Sequence, residues 1–177
     1  IPYAAPPVGR LRWHSPEQAP NWTGVRQATE FGAVCSQLPV DWAGHDLDRT
    51  SEDCLTLNVW TPRVPGDAKL PVLVWFHGGG YTAGAGSQAT YEGSNFARRG
   101  AVIVTVNYRL GALGYLAHPA LSQESPSGTS GNYGLLDQVA ALRWVHDNIA
   151  RFGGNPADVT VAGQSAGGGS AMLVTIS

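Results

Sequence analysis

The residues best suited to chemistry lie in Gly163-Gln164-Ser165-Ala166-Gly167, a serine with glycines two positions before and two after it. Residues 158–162 ahead of it form a short β-branched run that reads as a buried strand, and residues 166–174 behind it open on small side chains and read as a helix. A G-x-S-x-G turn between strand and helix is a nucleophile elbow, in which a strained serine lifts its hydroxyl above the sheet edge. At a helix N-terminus the serine also meets backbone N–H groups that favour developing negative charge. The complementary stretch is His77-Gly78-Gly79-Gly80, which follows directly on the apolar run 70–76. Acyl transfer builds a negatively charged oxygen that needs donors about 3 Å away, and glycines leave backbone N–H groups bare enough to reach it. Either stretch alone could be an ordinary turn in a chain with 23 glycines among 177 residues. Both together, in this order and each after a strand, point to attack by Ser165 on a carbonyl. The glycine loop and the residue after the serine would then receive the oxyanion.

Other candidates are weaker. Gly84-Ala85-Gly86-Ser87-Gln88-Ala89 loosely fits a dinucleotide fingerprint, but it does not follow directly on a strand and lacks the acidic residue about 20 positions on, so no cofactor is expected. Cys35 and Cys54 are the only cysteines. They fit one disulfide, two free thiols, or half of a metal site that His45 alone would not complete. A bridge would close a loop of about 20 residues, worth about 3 kcal/mol on the loop-entropy model. Asn21-Trp22-Thr23 is a glycosylation sequon that matters only in a eukaryotic secretory host.

The elements that must position these groups follow from pattern. Residues 1–50 carry Pro2, Pro6, Pro7, Pro16 and Pro20, which break helices and leave an irregular or short-stranded wrapping segment. Residues 55–60, 70–76 and 101–106 read as strands, the last two buried on both faces. Pro65-Gly66-Asp67 reads as a turn, residues 94–100 as a short helix with a glycine stop, and 122–131 as a polar loop. The longest helix follows Gly131-Asn132-Tyr133-Gly134, with Leu135, Val139, Leu142, Val145 and Ile149 on its apolar stripe and Leu136, Ala140 and Trp144 widening it. It ends at Gly153-Gly154-Asn155-Pro156. Strand, strand, crossover helix and strand indicate a parallel-rich α/β sheet flanked by helices.

Composition bounds the rest. The chain is 43% hydrophobic and 14% charged, with a net charge of -2. That balance gives no electrostatic reason to bind nucleic acid or an anionic membrane surface. No apolar run approaches the roughly 18 residues of a membrane span. The chain opens on Ile1-Pro2-Tyr3 without a methionine, so the lack of a signal peptide says nothing about export.

Six stretches together resemble a type-B carboxylesterase, the esterase/cholinesterase branch of the α/β-hydrolases. They are residues 1–13, 51–60 around Cys54, the glycine loop, Asn107-Tyr108-Arg109-Leu110-Gly111, 132–138 and 163–168. The resemblance implies an α/β-hydrolase fold, N-terminal portion only, truncated after the elbow as a single partial domain. Residues 1–54 would wrap, and 55–177 would build the sheet core. It implies a serine carboxylic-ester hydrolase acting on a small-molecule ester, with Ser165 as nucleophile and Gly79, Gly80 and Ala166 as oxyanion donors. The triad acid and histidine would follow later in the chain, so none of His14, His45, His77, His118 and His146 is assigned as general base. It also implies a Cys35–Cys54 disulfide, hence a secreted or periplasmic protein, and an Arg12–Glu52 ion pair. Arg109 and Asp137 should pair because neither charge is tolerable alone in a buried setting. Gln164 departs from the glutamate often found before the serine, and Trp42 reads as packing rather than as a cation-binding aromatic. The alternative from another class is a cholinesterase-like adhesion or scaffold domain without catalysis.

Overall fold

The computed structural model describes residues 1–41, 47, 49–62 and 68–176. Trp42, His45 and the turn expected at Pro65-Gly66-Asp67 lie outside the described residues. In chain order the regular elements are β1 (Val34–Cys35), β2 (Thr50–Ser51), β3 (Leu57–Trp60), β4 (Leu70–Phe76), α1 (Ser94–Ala97), β5 (Val102–Val106), α2 (Gly111–Tyr115), α3 (Pro119–Glu124), α4 (Tyr133–Asn148), β6 (Gly154–Gly163) and α5 (Ala166–Val174). β1 and β2 pair in parallel as a small separate ribbon. The main sheet has the order β3-β5-β4-β6, with β3 antiparallel to β5 and the other neighbours parallel.

Before β1 the described chain holds only a 3-10 turn at Gly9–Leu11 and isolated bridges from Pro2 to Thr56 and Ala4 to Gln18, and the two short strands β1 and β2 follow. β5, a run of five β-branched residues, is buried at every position. β4 is not: Val72, Val74 and Phe76 are buried, whereas Leu73 and Trp75 are half-buried. The α4 side of the sheet accounts for this difference, since Val72, Val74 and Phe76 share a core with Ala141, Val145 and Ile149 of the α4 segment. The opposite face has thinner cover, where Trp75 meets Tyr91 at 5.5 Å between ring centroids.

The fourth strand of the main sheet in sequence, β6, starts earlier than its β-branched run suggests. Gly154 already pairs with Leu70, and the partner then advances to Val159 while β4 advances only to Val72. Pro71 lies at that slip and has no N–H to donate to a ladder, so the register breaks where it costs least. The loop expected from residue 122 begins three residues later, because α3 runs to Glu124. Pro119 opens that helix and the His118 ring accepts the Ala120 N–H at 3.2 Å, a start signal the polar composition concealed.

β6 is paired only to β4 among the described residues, and Met172 and Ile176 beside it are 73% and 83% exposed. An unpaired strand edge next to apolar side chains is a template for association. Residues 1–177 expressed alone are therefore expected to bind a hydrophobic dye and to elute from a sizing column as aggregates. A sharply melting monomer would contradict this.

Candidate active site

Two segments meet at the carboxyl ends of β4 and β6, and the backbone at their junction is under unusual constraint. Ser165 has φ 53° and ψ -120°, a left-handed φ that a residue with a side chain adopts only under compulsion, at a cost of about 1–3 kcal/mol. The compulsion comes from crowding. A Cβ on Gly163 would run into the Gly167 backbone and the Phe76 carbonyl, and one on Gly167 would strike the carbonyls of Phe76 and His77. Gln164 N–H donates to Phe76 O at 3.3 Å, and Gly167 N–H closes the turn onto Gln164 O at 2.9 Å. The Ser165 side of the turn opens to solvent. Its hydroxyl thus stands over the end of the sheet, at the first turn of α5.

The glycine loop leaves β4 at His77. Gly79 and Gly80 have φ of 109° and 62°, and the Gly79 carbonyl accepts N–H groups from Thr82 and Ala83 at 3.0 and 3.1 Å. A Cβ on Gly79 would overlap the Ala83 carbonyl, so only glycine permits this tight fold. Among the described residues, the N–H groups of Gly79, Gly80 and Ala166 donate to no protein acceptor. Three bare donors on either side of an accessible serine can hold a negatively charged oxygen. Gln164 sits between the two segments, its amide oxygen against Gly78 and 3.4 Å from the Tyr91 hydroxyl that donates to it.

His77 is fully buried. Its Nδ1 donates to Gly78 O at 2.8 Å, its ring stacks on Tyr108 at 4.3 Å, and the Tyr108 hydroxyl donates to the His77 carbonyl at 2.6 Å. Burial pushes the imidazole down to about 4, against a smaller upward pull from the Gly78 carbonyl. His77 is therefore neutral near pH 7 and buttresses the loop. The unfolded imidazole takes up a proton below about 6.5 and the folded one only near 4, so stability falls as pH drops through that window and recovers as it rises. The loss at pH 4 is expected to be on the order of 3 kcal/mol. Denaturant unfolding at pH 7 and pH 4 checks it, with His77→Gln removing most of the difference from this residue.

Supports for the loop come from distant segments. Cys35 and Cys54 form a disulfide with their Cα atoms 4.9 Å apart, both residues buried. Two positions beyond Cys35, the Gln37 amide accepts the Gly84 N–H at 2.7 Å and donates to the Gly84 carbonyl at 2.9 Å. The bridged segment thereby holds the strand of chain against which Gly79 folds. Arg12 and Glu52 pair at 2.6 and 2.7 Å, partly exposed. Arg109 grips Asp137 through Nε and Nη2 at 2.8 and 2.7 Å, and the Arg109 backbone N–H adds a third bond at 3.0 Å. Burial raises the Asp137 carboxyl and Arg109 opposes that rise. Pattern reading alone did not single out Tyr81, which has φ 62°, or the stacking of Tyr108 on His77; neither residue type signals such a role by itself. Among the described residues no cluster of three or more His, Cys, Asp or Glu side chains could hold a metal ion.

A parallel-rich sheet carrying a strand–serine–helix elbow beside a glycine loop on the neighbouring strand is the α/β-hydrolase fold. The chain belongs to the carboxylesterase family, whose model matches residues 1–177. It is 51% identical over 177 residues to the fumonisin B1 esterase of Sphingopyxis macrogoltabida, covering 100% of this chain and 33% of that protein. It is 49% identical over 172 residues to the para-nitrobenzyl esterase of Bacillus subtilis (strain 168), covering 95% and 34%. A thermophilic PNB esterase structure superposes with a TM-score of 0.87 at 49% identity, covering 96% of this chain and 35% of that one. The chain thus spans about a third of the length of the relatives it matches. No helix among the described residues is long and apolar enough to cross a membrane.

Proposed function

We propose that this chain carries the nucleophile and the oxyanion donors of a serine carboxylic-ester hydrolase that works through an acyl-enzyme. The observation that carries the reading is the strained, solvent-facing Ser165 at φ 53°, on the segment that meets the glycine loop, with backbone N–H groups of Gly79, Gly80 and Ala166 that have no protein acceptor among the described residues. In the first half-reaction Ser165 Oγ bonds to the ester carbonyl carbon and its proton passes to a histidine. The carbonyl oxygen takes the negative charge and rests on the three N–H groups. Collapse breaks the ester C–O bond, and the alcohol leaves with the proton from the histidine. Water then attacks the acyl-enzyme by the same route, releasing the acid and restoring Ser165.

The histidine and its acid partner follow the serine in chain order on this fold, so they belong to sequence beyond residue 177. His77 cannot serve, being buried and engaged with Gly78. The substrate class is a small-molecule carboxylic ester, and the disulfide supports a secreted or periplasmic location, where such bridges persist. A scaffold without catalysis would leave the strain at Ser165 without a use. The test is hydrolysis of p-nitrophenyl acetate and butyrate by the full-length protein, beside residues 1–177 alone. Turnover by the first and none by the second is expected; a full-length protein with no esterase activity would overturn the reading.

A further inference from the structure

We propose that Tyr81 is a positioning residue that joins the two halves of the oxyanion site into one rigid unit, an inference that rests on the esterase reading of Ser165. Tyr81 follows Gly80 directly in the chain, so its backbone is continuous with one set of donors. Its hydroxyl donates to the carbonyl of Ala166 at 2.9 Å, on the residue that supplies the opposing donor. One side chain therefore spans the gap in which the oxyanion must sit.

Two further contacts hold that span in place. The Tyr81 carbonyl accepts the Gly111 N–H at 2.7 Å, tying the residue to the start of α2. Its ring lies on Tyr115 of the same helix, 5.1 Å between centroids. On the α5 side a Cβ at Gly169 would come to 3.3 Å from the Tyr81 hydroxyl, so the glycine there leaves the hydroxyl room to reach its acceptor. Tyr81 also holds φ 62°, a left-handed conformation that a tyrosine keeps only when its surroundings over-determine it. Without the hydroxyl, the first turn of α5 could shift relative to Gly79 and Gly80. Donors preorganised for an oxyanion lose effect steeply with small displacements, whereas ground-state binding of a neutral ester does not.

The experiment uses the full-length enzyme with Tyr81→Phe, and Tyr115→Phe as the control. The Tyr115 hydroxyl is buried without a hydrogen-bond partner among the described residues, so removing it leaves the ring pair intact and should keep kcat within twofold. Tyr81→Phe should lower kcat about tenfold to a hundredfold with KM within twofold. It should weaken inhibition by a trifluoromethyl ketone, whose serine adduct carries the oxyanion, by the same factor. Labelling of Ser165 by a fluorophosphonate should persist at a reduced rate, with an unchanged circular dichroism spectrum. If kcat and the ketone affinity stay within twofold, the Tyr81 proposal falls while the Ser165 reading stands. If Tyr115→Phe loses as much as Tyr81→Phe, the loss is not specific to the Tyr81–Ala166 hydrogen bond and the hydroxyl assignment is overturned. If the unsubstituted enzyme takes up no label at Ser165, the esterase reading fails and the proposal with it.

Discussion

Ser165→Ala in the full-length protein is expected to abolish ester hydrolysis, lowering turnover by up to about a millionfold, and to abolish covalent labelling by a fluorophosphonate. The size of the effect follows from the geometry. Ser165 is the residue strained at the elbow, its turn opens to solvent, and the N–H groups of Gly79, Gly80 and Ala166, proposed as oxyanion donors, have no protein acceptor among the described residues. Removing its oxygen leaves those donors in place but eliminates the atom that bonds to the carbonyl. Residual hydrolysis would then come only from water attacking an ester held against the donors. The fold should survive, because the strain cost is in the backbone and Gly163 and Gly167 keep the turn closed. Mass spectrometry of the labelled protein, with steady-state assay of p-nitrophenyl butyrate, checks both halves. Turnover or labelling retained in the alanine variant would show that another residue is the nucleophile.

Asp137→Ala is expected to destabilise the protein by about 3–5 kcal/mol, the usual cost of leaving one member of a buried ion pair alone. Arg109 and Asp137 have 4% and 0% of their side chains exposed, and three hydrogen bonds join them across 28 positions of sequence. The Arg109 guanidinium also lies 5.4 Å from the Tyr133 ring, so it is enclosed on more than one side. Without the carboxylate, Arg109 keeps its charge in an apolar setting with no counter-ion. Denaturant unfolding of the full-length protein measures the loss, and a change near zero would show that water reaches the guanidinium. Glu52→Gln is expected to cost far less, because the Arg12 and Glu52 side chains are 41% and 26% exposed and solvent screens the pair.

The contrast between these pairs bears on how α4 sits. Periodicity alone suggests a buried stripe through Leu135, Val139, Leu142, Val145 and Ile149, widened by Leu136, Ala140 and Trp144. Val145 and Ile149 are buried as that stripe requires, but nearer the N-terminus the buried positions are Tyr133, Gly134, Asp137, Gln138 and Ala141, while Leu135, Val139 and Leu142 are half-buried and Leu136 is 38% exposed. The helix is rotated toward Arg109: its carboxylate meets the guanidinium, and Gly134 lets the helix approach the Arg109 carbonyl, which a Cβ would strike. A hydrophobic-moment argument weighs each helix as though its partner were featureless oil. Here a polar contact and a missing side chain set the angle.

Sequence by itself determined the parts whose cause is local. A β-branched run between glycines makes β5, a proline places the slip in β4, and Gly163 and Gly167 are the only residues that let a strand turn so sharply into a helix around Ser165. The glycine loop after β4 was legible for the same reason, since its conformation demands positive φ at Gly79 and Gly80. What only the tertiary structure decided depends on segments far apart in the chain. His77 is made neutral by being enclosed and stacked on Tyr108, 31 positions away. Gly84 is clamped by Gln37 beside the disulfide, and the glycine loop is tied to α5 by Tyr81 reaching across 85 positions to Ala166. A residue's type limits which bonds it can make, but its partner is set by where the sheet brings the chain together.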